Sequence, residues 1–186
     1  MRWRQVGLLY GVLAALAAEY WLFERAPAPA VQQQPVRQRF LAVRPDELRE
    51  LRLLRGGRRV VSERSAGHWS VIEPAGSPIP PDLIAAFAEA LGAAEEIDSA
   101  PAGGDGSAYG LDENAAQVEV VPEHGDPVTV TIGGTNPTGT AVYARRGASP
   151  DVVLIGRNVR YYEDLIFQAL PEASAPPGDA GAPLGG

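Results

Sequence analysis

The sequence predicts an α+β protein: an N-terminal single transmembrane helix, then an antiparallel-sheet-rich domain built from two strand groups, each followed by a covering helix. Three observations predict it. One long stretch near the start is almost free of charge. Several short runs alternate apolar and polar residues between Gly- and Pro-rich turns, the mark of strands with one buried face. Two segments carry apolar residues at helical spacing, and each follows a set of strands.

The uncharged stretch runs from Val6 to Phe23, about 18 residues containing one charge, Glu19. As a helix it would be roughly 27 Å long, close to the ~30 Å of a bilayer core. Trp3 stands at one end and Tyr20 and Trp21 at the other, as interfacial aromatics do. Ala26-Pro27-Ala28 resembles a small-x-small cleavage site, but Pro29 follows it and the apolar run exceeds a signal peptide's, so the expectation is an uncleaved anchor. Residues 1–25 are then head and anchor, with the lipid bilayer met through residues 6–23. Residues 26–38 form a Pro/Gln-rich spacer, 39–170 the folded domain, and 171–186 a disordered tail.

Within the domain, "ELRLLRGGRRVVSER" reads as two strands around a Gly56-Gly57 hairpin turn. "HWSVIEP" follows, with Trp69 and Val71 on one face and Pro74 as its close. "PDLIAAFAEALGA" is an amphipathic helix carrying Leu83, Ile84, Phe87 and Leu91, started by Asp82 and stopped at Gly92. After the loop "DSAPAGGDGSA" come four strands, "QVEVV", "VTVTI", "TAVYARR" and "DVVLIG". Val128, Val130 and Ile132 alternate with Thr129 and Thr131, which sets one face inward. "NVRYYEDLIFQAL" closes the domain as a helix with Tyr162, Leu165, Ile166 and Ala169 inward and Asn158 as cap.

Composition excludes several chemistries. There is no cysteine, hence no disulfide, thiolate metal site or thiol nucleophile. All 16 basic residues are arginine, which removes Schiff-base and P-loop lysines. The net charge of -7 is unevenly spread: residues 37–64 are rich in arginine, whereas residues 82–126 carry acids and no arginine. That pattern fits two opposed surfaces, or a basic part resting on anionic headgroups, and makes nucleic acid a poor partner.

Motifs with chemistry are scarce. His68 and His124 form no close pair. "GGDGS" at Gly103–Ser107 lacks the acidic spacing of a calcium loop. "GGTNPTG" at Gly133–Gly139 joins two strands and opens no helix, so it reads as a hairpin turn. Glu95, Glu96 and Asp98 read as solvated surface, as do Arg145 and Arg146. No catalytic, cofactor-binding or metal residue is assigned, and no cofactor is expected.

Five phrases in order, "YWLFER", "HWSVIEP", "AYGLDENAAQVEVV", "VTVTIGGTNPTGTAVYARRG" and "DVVLIG", resemble a bacterial family known as domain of unknown function 4340. The similarity covers roughly Arg39 to Leu170 together with the apolar stretch. Trp69, Pro74, Tyr109, Gly110, Leu111, Gly133 and Tyr143 match the family signature. The resemblance implies a protein of the Gram-negative envelope, beside ABC-type export systems or gliding-motility components, and brings no catalytic residue with it. The expectation is therefore a non-enzymatic envelope protein, anchored once in the bacterial inner membrane with its domain in the periplasm. It would serve as accessory or scaffold to ABC-type permease or ATPase subunits. The alternative is a ligand-binding module for an envelope glycan or small molecule, with Trp69, Tyr109 and Tyr143 lining a groove.

Overall fold

A computed structural model describes residues 38–101 and 106–171, together with residues 3, 7, 11–14, 16 and 18–20. The chain divides into two compact units, Met1–Arg37 and Gln38–Gly186. In the first unit the described residues are helical, with Trp3, Leu13 and Leu16 exposed. Among the described residues no helix is long and apolar enough to cross a membrane. The expected transmembrane helix at 6–23 is therefore not supported, and the single-pass inner-membrane placement that rested on it falls with it. A span needs about 20 consecutive helical, apolar residues, and no helix among the described residues supplies them. The two α-helices of the second unit are 12 residues each. Much of 6–23 lies outside the described residues, as do the spacer (save residue 38), residues 102–105 and the tail beyond residue 171.

The second unit is a large antiparallel sheet with a few short helices. Its strands are β1 (Leu48–Arg55), β2 (Arg58–Ser65), β3 (His68–Glu73), β4 (Asp98–Ser99), β5 (Ala116–Pro122), β6 (Val128–Thr135), β7 (Ala141–Arg146) and β8 (Val152–Gly156). Helix α1 (Pro81–Gly92) follows β3, and α2 (Asn158–Ala169) follows β8. The strands form one eight-stranded sheet in the order β3-β2-β1-β5-β6-β7-β8-β4. This corrects the expectation of two strand groups with separate covers. β1 and β5 pair directly, with Leu51 opposite Val120 and Leu53 opposite Val118, so two edges that would otherwise stay unpaired satisfy each other.

Register fixes which side chains meet. Leu53 lies between Val60 of β2 and Val118 of β5, and Val118 faces Val130 of β6. Ile132 continues the row to Ala144, and Val142 to Ile155. All of these are buried and pack into one core with Ile84, Phe87 and Leu91 of α1. Helix α2 adds Val159, Ile166 and Phe167. Of the inward face predicted for α2, Ile166 alone is buried; Tyr162, Leu165 and Ala169 are half-buried. Asn158 is not the cap, since Arg157 takes that position without a side-chain bond.

The two helices cover one face of the sheet. Residues of the opposite parity, including Arg52, Leu54, Gln117, Glu119, Thr129, Tyr143 and Arg145, lie on the other. That second face carries one of the candidate sites; another lies beside α2.

Candidate functional site

Five of the seven signature residues converge on the second face. The chain from Gly106 to Tyr109 makes a single 3₁₀ turn, closed when the Leu111 amide donates to the Gly106 carbonyl at 2.9 Å. Gly110 then takes a φ of +66°, a region open mainly to glycine. The turn lies flat on β6. A Cβ on Gly133 would run into the Tyr109 carbonyl oxygen and stand 2.9 Å from Leu111 Cδ2. A Cβ on Gly110 would come within 2.8 Å of the Gly134 nitrogen. Leu111 is buried, and the Tyr109 and Tyr143 rings meet at 4.7 Å between centroids. The Tyr109 hydroxyl donates to the Pro101 carbonyl at 3.2 Å. Backbone contact this close needs glycine on both sides, so the segment works as a clamp pressed onto β6 and β7.

The other two signature residues lie elsewhere. Trp69 is buried on the helix-covered face, in a concavity it shares with Ala85 and Ala88 of α1. Pro74 follows a cis peptide at the close of β3, and its carbonyl accepts the Ser77 amide at 3.1 Å. Because Trp69 and Tyr143 occupy opposite faces, Trp69, Tyr109 and Tyr143 do not line one groove.

The clamp covers the β6–β7 part of the second face. Over β2, β1 and β5 that face is a depression of about 440 Å³ lined by Arg52, Leu54, Arg59, Gln117, Glu119 and Thr129. Leu54 is 44% exposed at its floor, an apolar side chain that nothing described covers. Arg52 bridges Glu50 at 2.5 Å and Glu119 at 3.0 Å. The hydrogen bond Arg52 donates to Glu50, then that to Glu119, raises its guanidinium above its usual range. Arg59 stands 3.6 Å from Glu73.

A second concavity, of about 330 Å³, lies beside the first turn of α2, lined by Thr135, Gly139, Val142, Arg157, Arg160, Tyr161 and Asp164. It adjoins an ion cluster that sequence reasoning missed. Glu163 is fully buried, with Arg55 2.7 Å away and Arg160 at 3.2 Å. Asp164 takes Arg55 at 2.5 Å and Arg160 at 3.2 Å. Burial pushes the Glu163 carboxyl up, while Arg160 and Arg55 pull it back. The available signal was positional: Glu163 stands four residues after Val159 and three before Ile166, on the inward stripe.

The remaining candidates are dispersed. The His68 ring nitrogen lies 3.0 Å from the Ala66 carbonyl, and His124 is in a turn. Arg146 pairs with Glu96 at 2.8 Å and lies over Phe40, whereas Arg145 is on the second face opposite Thr131. The "GGTNPTG" stretch is a hairpin turn held by Asn136, whose Oδ1 accepts the Thr140 and Ala141 amides. Among the described residues no group of three or more His, Cys, Asp or Glu could hold a metal ion.

A family model described as a domain of unknown function (DUF4340) matches residues 69–165. That span holds all seven signature residues and runs into α2. No curated protein and no solved structure matches the chain.

Proposed function

Because the chain belongs to the family called domain of unknown function 4340, we propose that it acts as a non-enzymatic accessory or scaffold domain that docks onto a protein partner through the uncovered part of its sheet. The observation that carries this reading is the depression over β2, β1 and β5. Its floor holds the half-exposed Leu54, and its sides hold Arg52, Arg59 and Glu119. An apolar centre ringed by arginine and a carboxylate is the anatomy of a protein interface, where arginine is enriched and a few central residues dominate the energy. The partner class we propose is a permease or ATPase subunit of an ABC-type export assembly; the resemblance set out above supports it.

Affinity purification of the full chain with crosslinking tests the reading. It should recover those subunits, and Leu54→Asp should reduce the recovery about tenfold, the equivalent of about 1.4 kcal/mol. The same variant should keep its stability within about 0.5 kcal/mol, because the side chain sits at the surface. Recovery of the protein alone would refute the reading. A second reading, a ligand-binding module, is favoured by the concavity beside α2.

A further inference from the structure

We infer that the concavity beside α2 binds a carboxylated sugar, with Arg157 holding its carboxylate. The inference deepens the ligand-binding reading and is independent of docking through Leu54.

The walls are built before any ligand arrives. One wall is the β6–β7 turn, in which Asn136 Oδ1 accepts the Thr140 and Ala141 amides at 3.0 and 3.1 Å and Asn136 Nδ2 donates to Thr138 Oγ1 at 2.9 Å. Arg157 is fixed against that wall because its Nη1 donates to the Gly139 carbonyl at 3.1 Å. A guanidinium has five N–H donors, and this is the one hydrogen bond that of Arg157 makes among the described residues. It also makes no ion pair among them. Arg160 differs: it pairs with Glu163 and Asp164, and its Nη1 donates to the Gly133 carbonyl at 3.2 Å.

Charge counting then selects the ligand. Arg55 and Arg160 pair with Glu163 and Asp164, which leaves the positive charge of Arg157, in the same concavity, without an acidic partner among the described residues. One negative charge matches it. A planar carboxylate suits the guanidinium fork. A phosphate dianion would bring a second charge toward Asp164, which lines the same concavity.

The remaining lining suits a hydroxylated ring. Asp164 is an acceptor, and the Thr135 and Tyr161 hydroxyls have no bond to another described residue. The Tyr161 ring is 56% exposed and held edge-on to Tyr162 at 5.4 Å, and it offers an apolar surface to the C–H face of a sugar. A volume of about 330 Å³ fits a single small ligand.

Titration of the full chain with glucuronate, glucose and inorganic phosphate, followed by NMR, tests this. Glucuronate should saturate with a Kd on the order of 1 mM, as one charged contact and one ring face would give. Glucose and phosphate should each bind at least about tenfold more weakly. Arg157→Ala should weaken glucuronate about tenfold, as loss of a charge-assisted pair does. Tyr161→Ala should weaken glucuronate but leave acetate unchanged. Absence of saturation by glucuronate, equal binding of phosphate, or full affinity in Arg157→Ala would each overturn the inference. Failure of the Leu54 pull-down would leave these results untouched.

Discussion

Gly133→Ala is expected to destabilise the folded domain by about 3 kcal/mol, at the upper end of overpacking costs, because backbone stands in the way. The added Cβ meets the Tyr109 carbonyl oxygen and Leu111 Cδ2 together. The first is backbone, and the second is a methyl of a side chain held in a buried position. The Gly106–Leu111 turn must lift, which exposes Leu111 and parts the Tyr109 and Tyr143 rings. The neighbouring Gly134→Ala is the control. Its Cβ would stand 3.4 Å from the Tyr109 oxygen, an ordinary contact. Alanine is also the better strand residue, so this variant should remain within about 1 kcal/mol of the parent. Urea unfolding of the three proteins checks both expectations. Equal loss in the two variants would mean that the clamp is not seated on Gly133.

Glu163→Ala should cost about 3 kcal/mol, the scale seen when one partner of a buried ion pair is removed. Arg55 and Arg160 would be left to share Asp164 across the space the carboxylate filled. Glu163→Gln should cost far less, because an acceptor oxygen remains in place. The pH dependence carries more information. Burial raises the Glu163 carboxyl above its ordinary value, with Arg160 and Arg55 opposing and Asp164 adding to the rise. The folded state therefore holds that proton more tightly than the unfolded chain. Its stabilising contribution is complete below the ordinary carboxylate value and is lost as pH rises through the raised one. Relative to Glu163→Gln, the parent should thus lose stability on going from about pH 4 to pH 7. Urea midpoints of both proteins over that range measure the difference. A parent that gains on the Gln variant as pH rises would show that the arginines outweigh burial.

The strands of the second unit were legible because alternation and turn chemistry agree. Val128, Val130 and Ile132 marked β6, and Gly56-Gly57 marked the turn between β1 and β2. Helix α1 was legible from its apolar spacing, and Ile84, Phe87 and Leu91 are buried. Helix α2 misled because a charged residue occupies an inward position. Glu163 broke the apolar stripe, so the rotation of the helix was read toward Tyr162 and Leu165 instead of Val159 and Phe167. The joining of β1 to β5 was not legible, since apolar periodicity gives a strand its faces but not its neighbours. For the same reason the signature motifs gave Tyr109 and Gly133 no contact with each other. The apolar stretch at 6–23 invited a membrane span from composition, and no helix among the described residues is long and apolar enough to make one. Arg157 carried no signal of its own: it gains meaning from the Asn136 turn, which lies on a different element.

Photocrosslinking tests the docking claim most directly. With a photoreactive residue in place of Leu54, on the uncovered face, irradiation of cells should yield a discrete adduct. Mass spectrometry should identify its partner as a permease or ATPase subunit of an export assembly. The same residue in place of Asp82, exposed on α1, should not capture that subunit. No adduct at position 54, or the same adduct from both positions, would contradict docking through the open sheet.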